Sequence, residues 1–529
     1  MDPRITIHNI TDYNSLLSIV YSELESISRR KPQQSVDTQN PLLKCCEALF
    51  QAGAITIMAQ HKVLDPDFLA EYSSYYSKQF NEVSRYCTRL HFFKESKATE
   101  LTQLEYIDST PPEHYLGFIT LRPVITSPVG ATILSSEVVP GFIRSADKFP
   151  VHIMGRELSV FGTPFMQQDN AVGACAQASI WMALRTLRKR EGDRAHDPAQ
   201  ITDAATRYNA NGRIKPNRQG LTQIQMMEAI RSAGYSPHSI WLGQWHNQSL
   251  DAMNPADVQT AKRTIHPYIE SEIPVVLLLI HKIGGHAVVA VGHTWNANTT
   301  EFQTVEVSNS ASLDLRLVHA SSWIPDFIIN NDNSGPYMPF PSSSGGGTGY
   351  SMEQMVYALP LLPADVFMSG EEALSIGLTV VSDIYEGFAT AADKEALELS
   401  ASDIAIRVLL VEKRKLRTWA TTTTMPKELQ DELRTMHLPK RVWILELHLK
   451  AVYGAHDKEN IVPSLVAFAL IDPTGDTVAN SILMFYLNKN YPLDIIEVGT
   501  FLQFQDGLVK SGTQTTDNTP LEPIRGRTP

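Results

Sequence analysis

The chain has 529 residues, 43% of them hydrophobic, and a formal net charge of −12. That length exceeds one ordinary domain, and the apolar content fills large cores, so a disordered chain is excluded. The acidic balance argues against general nucleic-acid binding, which needs a basic surface. With only four cysteines (Cys45, Cys46, Cys87 and Cys175), a disulfide framework is excluded too.

Residues 1–100 read as a mostly helical region. Ile5 to Ile7 suggests a short strand, and Leu16, Leu17, Val20, Leu24 and Ile27 repeat at helical spacing. Further helices are expected over Pro41 to Gln60 and Asp67 to Cys87, with Tyr72, Tyr75, Tyr76 and Phe80 as a core stripe on the last. From about residue 85 the pattern turns to short β-prone runs punctuated by Pro and Gly. They include Leu90–Phe93, Tyr115–Leu121, Ala131–Leu134 and Val151–Met154, and a hairpin at Met154-Gly155 leads to Phe165.

Next comes the stretch Gln167-Gln168-Asp169-Asn170-Ala171-Val172-Gly173-Ala174-Cys175. It reads as a glycine turn that sets one cysteine in the first turn of a helix. Ile180, Trp181, Leu184 and Leu187 share a face of that helix, and Arg185, Arg188, Lys189 and Arg190 gather toward its end, where positive charge suits the dipole. Free N–H groups at the helix start favour thiolate, so Cys175 is a candidate nucleophile. Asp169 reads most simply as a helix cap. Two helices follow, one opened by Asp197-Pro198 and one by the capping box Thr222/Gln225 and closed at Gly234. Asn254-Pro255 opens another. Pro274–Ile280 and His286–Val291 then read as adjacent strands. His286, at the start of the second, is a candidate general base, whereas His266, His281 and His293 lack this context and read as core or surface residues. The short apolar strand from Asp326 ends in Asn330-Asn331-Asp332, any one of which is placed to orient the imidazole. Asp332 would also stabilise its cation. Gln168 is a candidate oxyanion donor.

Gly173-Ala174-Cys175-Ala176-Gln177-Ala178-Ser179 resembles the nucleophile helix of papain-like cysteine peptidases, and Gly285-His286-Ala287-Val288-Val289-Ala290-Val291-Gly292 resembles their histidine strand. The order Gln, Cys, His, Asn/Asp is also theirs. Ile273-Pro274-Val275-Val276 points to the branch resembling the bacterial peptidase family C39. The resemblance covers roughly residues 150–340 and departs at two points. Ala176 stands where papain has Trp, and the gap from Gln168 to Cys175 is one residue longer, which leaves Gln167 and Gln168 both open. It implies an α+β fold with a papain-like core, the nucleophile helix packed on an antiparallel sheet. It also implies a thiol hydrolase, peptidase or isopeptidase, that acts on a protein or peptide substrate through an acyl-enzyme and needs no metal or organic cofactor.

The domains expected are a mostly helical region over 1–100, a β lead-in plus catalytic domain over 101–340 with its core at 150–340, and a Ser/Gly linker over 341–350. An α+β accessory domain over 351–510 and a disordered tail over 511–529 complete the set. Met1-Asp2-Pro3-Arg4 lacks a signal-peptide pattern, and no apolar run reaches membrane-spanning length. A cytoplasmic setting without membrane partners follows as the expectation, for a regulatory, toxin-like or defence protease. Two alternatives stay open. The same acyl-enzyme serves deamidation or transglutamination, and the fold also serves as a binding module whose site is retired.

Overall fold

The computed structural model describes residues 4–524 apart from 29–40, 81, 99, 125, 170–173, 194, 209–219, 244, 247–248, 251–254, 282–283, 308–314, 345–348, 389–402, 457–461, 488–501, 506–507 and 512–519. The glycine turn before Cys175 therefore lies outside the described residues, as do residues 345–348 of the Ser/Gly linker and much of the tail.

Helices and largely antiparallel sheets are mixed along the chain. Three large sheets carry it. The first runs in the spatial order Ile5–Asn9, Thr56–Val63, Cys87–Phe93, Tyr115–Leu121, Thr132–Ser135, Arg156–Phe165, Asp147–Ile153. The central one holds Met355–Pro363, Val275–His281, Gly284–His293, Phe327–Asn331 and Gly335–Phe340 side by side. The third joins Thr304–Val307 and Leu315–His319 to Ile404–Glu412, Arg441–Leu449, Leu465–Ile471 and Ile482–Leu487, with two more short strands beyond. Among the described strands only Leu315–His319 pairs in parallel, with Ile404–Glu412.

The central sheet is covered on both faces, which is why its strands read as unbroken apolar runs. Val275, Leu277, Leu279, Val288 and Ala290 enter the core shared with the third sheet, while Val276, Ala287, Val289 and Val291 enter the core shared with the first. Helix Cys175–Glu191 lies in the latter, burying Ile180, Trp181, Leu184 and Leu187 as its spacing predicts. Its C-cap is Gly192, at φ 75°, and Arg188, Lys189 and Arg190 fill the last turn. The Thr222/Gln225 capping box forms.

The N-terminal region departs from its helical expectation. Helix Pro41–Gln51 ends before Gly53, at φ +89°, and Thr56–Val63 is a strand. Helix Pro66–Ser74 gives way to one turn at Tyr76–Lys78, and Cys87 opens a strand rather than closing a helix. The aromatic stripe divides with it: Tyr76 is buried, whereas Phe80 lies fully in solvent. Met355–Pro363, expected in the accessory domain, pairs with Val275–His281 in the central sheet. Part of the expected disordered tail is packed, since Leu521 bridges to Leu465 and Leu521 and Ile524 are buried. Helix Lys413–Thr422 was not expected at all. No helix among the described residues is long and apolar enough to cross a membrane.

Candidate active site

A tight hairpin delivers one wall. Ile153 faces Arg156 across Met154 and Gly155, at φ 50° and 89°, the positive pair that a type I′ turn requires. The returning strand ends at Phe165, and Gln167 is then fixed on the first sheet. Its amide donates to the Val129 carbonyl at 3.0 Å, and its side-chain oxygen accepts from the Val129 N–H at 3.3 Å. Gln168 turns the other way and donates its Nε2 to Asn333 Oδ1 at 2.8 Å. Of the two glutamines, Gln168 reaches the site. Asp169 is not the helix cap. Its carboxylate accepts from the Tyr76 hydroxyl. The N-cap is Ala174, whose N–H is accepted by Gln177 Oε1 at 3.1 Å.

Cys175 is the first residue of its helix and alone among the four cysteines is not fully buried. Backbone N–H groups of Ala287, Ala176 and Cys175 itself favour its thiolate. They do not prevail. Burial, with the Asp332 carboxylate second, pushes the thiol up to about 12. The helix start was expected to make a resting thiolate; desolvation outweighs it, and the sulfur rests as a thiol.

His286 lies two residues into strand Gly284–His293, directly before the Ala287 amide that meets the sulfur. Its buried imidazole has Nε2 at 3.0 Å from Asn331 Oδ1. Because an amide oxygen only accepts, the proton sits on Nε2 and the basic lone pair is on Nδ1. Asn333 Nδ2 stands 3.5 Å from Nδ1, and the Tyr350 ring stacks on the imidazole with centroids 4.9 Å apart.

The three candidates for the orienting residue separate cleanly. Asn331 holds the ring. Asp332 Oδ1 is 3.7 Å from Nε2, beyond hydrogen-bond reach, and burial pushes its carboxyl up to about 8. Asn330 faces away, donating to Thr163 Oγ1 at 2.8 Å and to the Pro164 carbonyl while accepting from the Tyr337 N–H at 3.0 Å. It staples the central sheet to the first. His293 is bonded to Glu270, and His266 is buried beside His319, both in the core away from the site. No protein-family model matches the chain, and no curated protein matches it.

Gln168, Asn333, His286 and Asn331 thus form one hydrogen-bonded chain, beside which burial and then Asp332 raise the Cys175 thiol, and burial, Asp332 and Cys175 raise the Tyr350 hydroxyl. Asn333 and Tyr350 were missed in the sequence. Asn333 is legible only as the second residue after Asn331. Tyr350 follows the Ser/Gly stretch and carries no local signal. No cluster of potential metal ligands occurs among the described residues. Chemically, the group offers a thiol, a base whose Nδ1 lone pair faces Asn333 Nδ2, an orienting amide and a side-chain amide donor.

Proposed function

We propose that the chain is a cysteine-nucleophile hydrolase with a papain-like core, cleaving an amide bond in a protein or peptide. One observation carries this reading. The imidazole of His286 is oriented through Nε2 by Asn331, and the amide next to it, Ala287 N–H, meets the Cys175 sulfur. Cys175, His286 and Asn331 then form the working set, with Asn331, one of the three residues left open in the sequence, orienting the ring.

The thiol is raised, so proton transfer and attack go together rather than through a resting ion pair. His286 Nδ1 takes the thiol proton as sulfur bonds to the acyl carbon, and the carbonyl electrons move onto oxygen. The Cys175 N–H and Gln168 Nε2 receive that oxyanion, the latter by exchanging its bond to Asn333. The imidazolium returns its proton to the leaving amine as the C–N bond breaks. Water, deprotonated by the same nitrogen, then releases the acid and restores the thiol. A reducing, cytoplasmic setting suits the free sulfur.

A panel of dipeptidyl vinyl sulfones tests this, with the adduct read by mass spectrometry. Wild type takes a single adduct at Cys175, and His286→Ala slows it by roughly 10²-fold or more. Equal rates in the two proteins would remove the base and the proposal with it. The raised thiol favours one rival, a binding module whose site is retired. Slow labelling of wild type, matching that of free cysteine at the same pH, selects it. Mass analysis of glutamine-containing peptides separates backbone cleavage from side-chain deamidation or transfer.

A further inference from the structure

Helix Lys413–Thr422 has two unlike faces. Leu416, Trp419 and Ala420 are buried against the third sheet together with Leu429 and Leu433 of helix Lys427–Thr435. Lys413, Arg417 and Thr421 lie four residues apart on the other face, with Arg414 and Thr418 beside them. Those five side chains and Arg434, from the last turn of the second helix, enclose an open cavity of about 410 Å³. Every lining residue is a cation or a threonine, and none is a carboxylate.

Two features set this cluster apart from a solvated charged face. The first turn holds Lys413, Arg414 and Lys415 and no acidic residue. Cations there oppose the helix dipole. Secondly, the adjoining cavity of about 530 Å³ also gathers cations, but there they are neutralised: Lys415 meets Glu272 at 2.6 Å, Arg190 meets Glu272 at 3.7 Å, and Arg441 meets Glu191 at 3.3 Å. In the smaller cavity, among the described residues, the side chains of Lys413 and Arg417 reach only the carbonyls of Leu438 and Met436, both at 3.3 Å. Arg417 Nε is buried with no hydrogen-bond partner among the described residues. All this stands on a chain of net charge −12, so the positive field is local.

We infer that this cavity is a binding site for a compact polyphosphate anion, such as the phosphate chain of a nucleoside triphosphate. Three guanidinium forks match phosphate oxygens in pairs. The volume suits a small ligand, and the threonine hydroxyls supply neutral donors at the rim. This site is separate from Cys175 and does not depend on the activity proposed for it.

Titration calorimetry on the full chain with inorganic tripolyphosphate tests the assignment. One-to-one binding is expected, weakened at least about tenfold in the double variant Arg414→Gln/Arg434→Gln, whose side chains are both exposed. Lys427→Gln is the control: it lies on the second helix, is paired with Asp431, and does not line the cavity, so binding stays unchanged. Protection of the lining arginines from phenylglyoxal by tripolyphosphate gives a readout in wild type alone. ATP binding more tightly than tripolyphosphate assigns a nucleotide; equal binding assigns the bare phosphate chain. The site is overturned if tripolyphosphate does not bind, if Lys427→Gln weakens it as much as the double variant, or if citrate competes equally. A short single-stranded DNA binding more tightly than either anion overturns the small-molecule assignment.

Discussion

Asn331 and Asp332 are neighbours at the end of one strand, yet they bear on His286 and Cys175 in opposite ways. Asn331 Oδ1 accepts a hydrogen bond from Nε2–H and so keeps Nδ1 basic; Asp332, buried and out of reach, opposes a charged sulfur. Asn331→Ala is expected to lower kcat/KM by roughly 10²-fold through a misplaced ring, read on the best peptide substrate, with the fold intact by circular dichroism. Asp332→Asn acts on the thiol instead. A carboxylate near a thiolate raises its pKa, so removing the charge lowers it, and the pH profile of iodoacetamide alkylation at Cys175 moves to lower pH. A profile unmoved by Asp332→Asn would separate the two groups. Before the structure, the Asn330-Asn331-Asp332 run offered no way to choose. Side chains alternate along a strand, and a shift of one position changes the answer. The register that pairs Val289 with Asn330 settles which amide lies under the imidazole, and that register depends on residues forty positions apart.

The helix of Cys175 and the strand of His286 were legible because each carries a complete local pattern. Ile180, Trp181, Leu184 and Leu187 mark one helical face, and an apolar run follows His286. The strands interleaved with helices in residues 1–100 were not, since Thr56–Val63 is half polar and directly follows a helical stretch. Helix Lys413–Thr422 was missed because its apolar positions are few. Within the histidine strand, Gly292 has a reason that the sequence does not display. A Cβ there would lie 2.0 Å from the Phe142 carbonyl oxygen and 2.9 Å from Ile143 Cα. The strand Phe142–Ile143 pairs at this point, with Gly292 and His293. Gly292→Ala must push that backbone away and is expected to destabilise by about 1–3 kcal/mol, measured by urea unfolding. Gly285→Ala, in the same strand, meets nothing nearer than the Leu279 carbonyl oxygen at 4.0 Å, so it is expected to be neutral or to stabilise by about 0.5–1 kcal/mol. Equal losses at the two positions would show that strand propensity, not close approach, governs both.

Across the whole molecule, long-range pairing crosses the domain borders expected from local composition: Met355–Pro363 returns to the central sheet, and Thr304–Val307 and Leu315–His319 add strands to the third. A buried polar network ties the two sheets together. Glu270 accepts from Arg144 and Arg407, Arg407 also meets Glu446 at 2.8 Å, and His293 and His448 complete it. Such burial couples stability to pH with opposite signs. Burial pushes Asp332 and Glu71 up to about 8 from 3.8 and 4.5. Through that interval the folded state holds protons the unfolded chain has released, so stability falls as pH rises toward 8. Histidines 91, 319 and 456 are pushed by burial from 6.5 to about 3, and His266 and His448 are lowered too. The unfolded chain protonates these first, so stability falls as pH drops below 6.5 toward 3. Glu446, held down to about 2 by Arg407 against the opposing effect of burial, adds a further loss below 4.5. Between 4.5 and 6.5 the lowered histidines, His196 among them, oppose the raised carboxyls, and above 6.5 Asp332 and Glu71 govern the slope until Lys262, lowered by burial to about 8, begins to act in the opposite sense. The thermal midpoint is therefore expected to be highest at about pH 6.5 and to decline on both sides. Asp332→Asn removes one of the two alkaline contributions and flattens the decline from 6.5 to 8 while leaving the acid limb as it was. A wild-type midpoint still rising at pH 8, or an alkaline limb identical in the variant, would mean that Asp332 is ionised in the folded protein and that its carboxylate, not the Asn331 amide alone, faces the imidazole in the working site.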